Sequence, residues 1–151
     1  MYSFRMSRIL EEDYKHIAER GFLECFKNKT VAITGATGTI GKYLTGFFIF
    51  INSHYSAGVK IFCVGRSQQA LTSMFESWGA CKELLTFVSA DFATRQLSLS
   101  DSLVCADIVF HLASYGSPEK FKRPLQTALP NIYGTEAVLE AMHPEAILFF
   151  A

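Results

Sequence analysis

The chain lacks an excess of either charge. Lys plus Arg number 14 and Asp plus Glu number 14, so the formal net charge is zero. An even balance gives no electrostatic footing for nucleic acid or for an anionic membrane surface. Long apolar runs are absent too. The most apolar stretch, Phe47-Phe48-Ile49-Phe50-Ile51, is far short of a membrane span. The beginning, Met1-Tyr2-Ser3-Phe4-Arg5 with Glu11 and Glu12 soon after, has no signal-peptide pattern. The cysteines Cys25, Cys63, Cys81 and Cys105 show no metal-type pairing, and His16, His54, His111 and His143 do not cluster. The cysteines sit in or near apolar segments and read as reduced core residues of a cytoplasmic protein. Internal repeats and low-complexity tracts are missing as well. These absences leave a single domain of 151 residues, half of them apolar and 14% aromatic, with ample material for a core.

What is present centres on Thr34-Gly35-Ala36-Thr37-Gly38-Thr39-Ile40-Gly41. It follows an apolar strand-like run, Thr30-Val31-Ala32-Ile33, and leads into an apolar helical segment from Thr39 to Asn52. Strand, glycine-rich turn and helix is the arrangement that binds a dinucleotide pyrophosphate. Gly35 permits the sharp turn off the strand. Gly38 leaves room for phosphate oxygens at the backbone. Gly41 lets the helix pack closely on the strand. The free N–H groups and the dipole at the helix start favour an anion there. Three glycines in seven residues also occur in ordinary turns, so the flanking elements carry the assignment.

In chain order, residues 7–27 place Ile9, Leu10, Tyr14, Ile17 and Ala18 on one helical stripe, and Gly21 is placed to end or break the helix. Residues 1–29 thus form a helical extension before a domain spanning 30–151; the extension covers the domain from outside or docks a partner. A second strand, Lys60–Val64, ends at Gly65-Arg66-Ser67. In a dinucleotide fold this strand end meets the adenosine ribose, where a carboxylate suits NAD and an arginine suits the 2′-phosphate of NADP. Arg66 and Ser67 therefore favour NADP slightly. NAD remains open, with Arg66 stacked on adenine or solvated. Ser67 also fits as the cap of a helix carrying Ala70, Leu71, Met74, Phe75 and Trp78, with Gly79 as its stop. A third strand, Leu84–Ala90, precedes Asp91 and Phe92. Ser98–Ala106 is a short connection. Asp107–Ala113 is the fourth strand and its exit, and Tyr115-Gly116-Ser117-Pro118 a loop. A helical stretch follows Pro124 to Met142, with Pro130 expected to kink it or delay its start. Ala146–Phe150 is the fifth strand. The expected fold is α/β, a doubly wound parallel sheet of Rossmann type with strand order 3-2-1-4-5.

Thr-Gly-x-x-Gly-x-x-Gly, His111-Leu112-Ala113 and Asn131-Ile132-Tyr133-Gly134-Thr135 together resemble the extended branch of the short-chain dehydrogenase/reductase superfamily. That branch holds the NAD-dependent epimerases and dehydratases of nucleotide sugars and the UDP-glucuronate decarboxylases. The resemblance covers about residues 30–151. It implies NAD or NADP as cofactor, a nucleotide sugar as substrate, and a role in supplying activated sugars for surface polysaccharides. It implies contacts from Gly35, Thr37, Gly38, Thr39, Ile40 and Gly41 to the pyrophosphate. Asp91 and Phe92 would meet the adenine, and Leu112, Ala113 and Ser114 the nicotinamide side. The Asn131 side chain would tie its helix to the neighbouring strands. His111 is expected to be structural, since no base or metal partner accompanies it. The resemblance also implies a Tyr-x-x-x-Lys pair as acid/base machinery. None of Tyr2, Tyr14, Tyr43, Tyr55, Tyr115 and Tyr133 has a lysine four residues later, so no catalytic residue is assigned. The expectation is the cofactor-binding part of such an enzyme, truncated before its catalytic half and inactive alone. A non-catalytic NADP-binding or sensor module and an inactive remnant are the alternatives. An uncharged fifth strand at the sheet edge implies self-association.

Overall fold

The computed structural model describes residues 7–76, 85–92, 103–114, 122 and 124–151. Trp78, Gly79, Leu84, the connection from Ser98 to Ser102 and the Tyr115–Pro118 loop lie outside the described residues. The elements in order are α1 (Arg8–Ile17), a wide turn over Ala18–Phe22, α2 (Leu23–Phe26), β1 (Thr30–Thr34), α3 (Thr39–Tyr55), β2 (Lys60–Gly65), α4 (Gln68–Glu76), β3 (Leu85–Ser89), β4 (Ile108–His111), α5 (Pro124–Ala141) and β5 (Ile147–Phe150).

Five parallel strands lie in the order β3-β2-β1-β4-β5, as the α/β reading expects. Parallel strands bury both faces, so the central ones are apolar throughout rather than alternating. Alternate residues nonetheless serve different layers. Val31, Ile33, Ile61, Cys63, Leu85 and Ile108 pack with α3, α4 and α1, while Ala32, Val64 and Val109 meet Val138 of α5 in a second cluster.

Helix α3 is apolar nearly all round because it is covered twice, by the sheet beneath and by α1 outside. Its residues Phe47 to Ile51 are all buried. Tyr14 fastens the outer layer. It is 1% exposed, its hydroxyl donates to the Tyr43 carbonyl at 2.8 Å, and its ring lies over Gly46. A Cβ on Gly46 would sit 2.5 Å from that hydroxyl. The segment before β1 thus belongs to the same core as the sheet. Gly21 breaks the helical path at φ 92°, a region an L side chain resists.

Three expectations are corrected. Helix α3 runs to Tyr55 rather than Asn52, because the Asn52 amide grips Val59 through both its N–H and C=O and so shapes the return without ending the helix. Helix α5 starts at Pro124 and continues through Pro130, so no late start occurs. Pro130 only withholds one N–H from the helix ladder. Of the cysteines, Cys63 is buried, with its thiol pushed up to about 12 by desolvation, but Cys25 and Cys105 are exposed. They sit in the short α2 and in the turn before β4, where neighbouring apolar residues take the inward positions. Cys81 lies outside the described residues.

Candidate functional site

The carboxyl ends of β1, β2, β3 and β4 and the start of α3 enclose a cleft of about 560 Å³, within the usual range for small-molecule sites. It opens where neighbouring strands lead their connections to opposite faces of the sheet, the place where open α/β sheets take ligands.

The glycine turn forms its floor. Gly35 has φ +70°, and a Cβ there would lie 2.8 Å from the Ala113 nitrogen and the Leu112 carbonyl. Backbone from β4 therefore runs directly against the turn. Gly41 lies equally close to the turn, since a Cβ would meet the Gly35 carbonyl and stand 2.7 Å from Ala36 Cα. Gly38 differs. Its φ of −72° suits any residue, and a Cβ would meet only the Gly35 carbonyl, at 3.2 Å. As N-cap of α3 it offers no side-chain acceptor, so the first-turn amides remain available to an anion.

The structure brings Gly35, Thr37, Gly38, Thr39, Ile40, Gly41, Arg66, Asp91, Phe92, Leu112, Ala113, Ser114 and Asn131 together around this cleft. Ser67 stands apart. Its hydroxyl accepts the Ala70 N–H at 3.2 Å and its carbonyl the Leu71 N–H at 3.1 Å, which is capping of α4. Phe92 is 6% exposed, edge-on to His111 at 5.5 Å and close over Gly134, so its ring is largely committed to the protein. Three lining residues escaped the sequence reading: Gly65, Ala90 and Ala151. The first two stand at the exits of β2 and β3, and strand exits are the available signal.

Behind the cleft wall lies a polar cluster in an otherwise apolar layer. Thr34 Oγ1 is 2.7 Å from His111 Nδ1 and accepts the N–H groups of Leu112 at 3.2 Å and Ala113 at 3.1 Å. His111 Nε2 is 3.3 Å from Thr135 Oγ1, which donates to the Asn131 carbonyl at 2.8 Å. His111 is 1% exposed, and desolvation holds its pKa below the ordinary histidine value. No group of metal-ligating side chains occurs among the described residues.

A second groove lies between α5 and β5, lined by Ile132, Leu139 and Phe150. Its charged residues are Glu136 and Glu140, which repel a diphosphate. Among the described residues no helix is long and apolar enough to cross a membrane.

A family profile, NAD dependent epimerase/dehydratase family, matches residues 31–151. Among curated proteins none matches the chain by sequence. Solved structures do resemble it. Pen from Bacillus thuringiensis superposes with a TM-score of 0.66 at 24% identity, over 83% of this chain and 38% of its own. The UDP-glucose-4-epimerase from Stenotrophomonas maltophila, with bound NAD and formylated UDP-arabinopyranose, gives 0.58 at 25% identity, over 81% and 36%. The epimerase Mth375 from Methanothermobacter thermautotrophicus gives 0.51 at 23%, over 89% and 34%. The chain thus spans little more than a third of the length of these structures.

Proposed function

The chain belongs to the NAD-dependent epimerase/dehydratase family, and from that premise we propose that its cleft binds a nicotinamide adenine dinucleotide in the service of nucleotide-sugar chemistry. The observation that carries this reading is the glycine cradle, where the uncapped start of α3 meets a turn that no side chain fills. In this reading Gly35, Thr37, Gly38, Thr39, Ile40 and Gly41 hold the pyrophosphate through backbone N–H groups and close approach. Arg66 attends the adenosine ribose and tilts the choice towards NADP. Asp91 and Phe92 border the adenine, and Leu112, Ala113, Ser114 and Asn131 the far half. Ser67 acts indirectly, by starting α4. When bound, the cofactor supplies reversible oxidation of a sugar hydroxyl. The chain's own residues bind and orient it, and the packed backbone of Gly35, Leu112 and Ala113 closes the floor to water.

The likeness to the Stenotrophomonas maltophila epimerase supports a nucleotide sugar as the partner substrate. Within these 151 residues no tyrosine has a lysine four positions on, which favours a second reading for this stretch taken alone: cofactor binding without turnover. The reading includes self-association through β5, an edge strand whose Ile147, Phe149 and Phe150 are exposed. Light scattering tests that part, and a monomer at high concentration refutes it.

Gly38→Val tests the site. The new side chain meets little protein, so the fold survives, while its branched methyls occupy the anion's place. Calorimetric titration with NADH and NADPH is expected to show affinity reduced at least about a hundredfold, on the order of 2.7 kcal/mol. Equal affinity in wild type and variant would remove the cradle from the site.

A further inference from the structure

The contacts around His111 favour one arrangement of its hydrogens. A threonine hydroxyl has one proton to donate and two lone pairs. Thr34 Oγ1 accepts the Ala113 N–H and shares the Leu112 N–H with the Thr34 carbonyl, each at 3.2 Å from the Leu112 nitrogen. With its acceptor side engaged, the hydroxyl directs its proton to His111 Nδ1 and leaves that nitrogen bare. At the other end, Thr135 Oγ1 donates to the Asn131 carbonyl, so it meets His111 Nε2 as an acceptor, and Nε2 carries the imidazole proton. All five bonds run one way.

We propose that His111 is a positioning residue, whose neutral Nε2–H form relays a directed hydrogen-bond chain from Thr34 through Thr135 to the Asn131 carbonyl and thereby holds two walls of the cleft in register. One wall is the β4 exit, Leu112 and Ala113, pressed against Gly35. The other is α5 at Asn131. The proposal deepens the cofactor reading and rests on it for its effect on binding. It does not rest on it for the chain itself.

The surroundings leave His111 as the group that titrates. Phe92 stands edge-on at 5.5 Å, Phe150 lies tilted at 5.7 Å, and the two threonines meet the ring nitrogens. The charged residues adjacent in sequence to its contacts are Asp91, beside Phe92, and Glu136, beside Thr135 and lining the outer groove. β1 and β5 contain none, and on β4 only Asp107 precedes the strand, at its opposite end. Protonation at Nδ1 would set a donor against the Thr34 hydroxyl and compete with the Leu112 and Ala113 N–H groups for its lone pairs. The chain must then break, and the walls lose their tie. Burial keeps the imidazole neutral at neutral pH.

Three measurements test this on the full chain. Long-range proton–nitrogen NMR of the His111 ring at pH 7 is expected to show the neutral Nε2–H tautomer; the Nδ1–H tautomer or an imidazolium overturns the proposal. Thr135→Val removes the relay without changing shape, and Thr135→Ser restores it. Amide exchange at Leu112 and Ala113, across the cleft wall from the substitution, should quicken about tenfold in the first variant and match wild type in the second. Unchanged exchange in Thr135→Val overturns the clamp, whether or not any cofactor binds. NADH affinity should fall about tenfold in Thr135→Val and recover in Thr135→Ser. If the wild type binds NADH and Thr135→Val binds it equally well, the positioning role fails. If the wild type binds none, the cofactor reading fails and exchange alone judges the clamp. If Thr135→Val does not fold, the wild-type tautomer decides.

Discussion

The two faces of the sheet are built on different principles. The face under α3 and α4 is filled by volume: Phe47 packs on Phe48, Phe75 stacks on Phe87, and Tyr14 covers Phe47 and Phe50 from outside. The face under α5 carries smaller strand residues, Ala32, Val64 and Val109, packed against Val138 of the helix, and places its polar chain among them. Many alternative packings can satisfy a volume-filled layer, so it tolerates conservative change. A directed hydrogen-bond chain has one arrangement of protons. The first face therefore supplies stability, and the second supplies geometry at the end where the cleft opens. The difference teaches where to look for a site in such a fold: beside the face that has exchanged apolar bulk for polar order.

Substitutions can break or sharpen this contrast. The largest effect belongs to the volume-filled face. Phe48 is fully buried, and Phe48→Ala should cost about 3–5 kcal/mol in urea unfolding while leaving the His111 tautomer unchanged. A changed tautomer would show that the faces are not independent. Next comes the cleft rim. If Arg66 meets a 2′-phosphate, Arg66→Ala weakens NADPH more than NADH by about 1.5–3 kcal/mol in parallel titrations. Equal losses would mean that the arginine reads no phosphate. Smaller still is Tyr14→Phe, which keeps the ring and loses one hydrogen bond. Its expected cost is about 1 kcal/mol, seen as a lowered unfolding midpoint with cofactor affinity intact; altered affinity would tie the outer layer to the site.

The smallest effect is a slope with pH. Burial lowers the folded pKa of His111, so the unfolded chain binds its proton first. Stability is then full above the ordinary histidine pKa, near 6.5, and declines as pH falls below it. Asp107 adds to this at lower pH. The Thr30 N–H, and secondarily Lys29, hold its pKa down, so its contribution is present above the ordinary carboxylate range and lost as pH falls through the folded value. His111→Phe should flatten the upper part of a plot of melting temperature against pH. An unchanged slope there would assign the titration elsewhere.

Much of this was legible in the residues. The glycine spacing and its flanks fix the turn because only glycine tolerates φ +70° and the backbone packing at Gly35 and Gly41. Apolar strands alternating with helices point to a parallel α/β sheet, and the glycine turn after the first strand points to the dinucleotide-binding order 3-2-1-4-5. Other features depend on side-chain partners that spacing does not reveal. Ser67 fits two descriptions in sequence, cofactor contact and helix cap, and the cap shows only through the Ala70 N–H that it accepts. Pro130 argues against a continuous helix by local propensity, yet tertiary packing of α5 on the sheet outweighs one missing bond. Thr34 looks like an ordinary strand residue, and its pairing with His111 comes from two elements that meet only in the fold.

That pairing joins positions 77 apart along the chain. The Tyr14–Tyr43 contact joins positions 29 apart. Closing the longer loop costs more chain entropy, and its reward arrives only when β4 docks beside β1. The Tyr14–Tyr43 contact can therefore close before β4 docks, whereas the cleft wall waits for that docking, and until then its hydroxyls and amides are served by water.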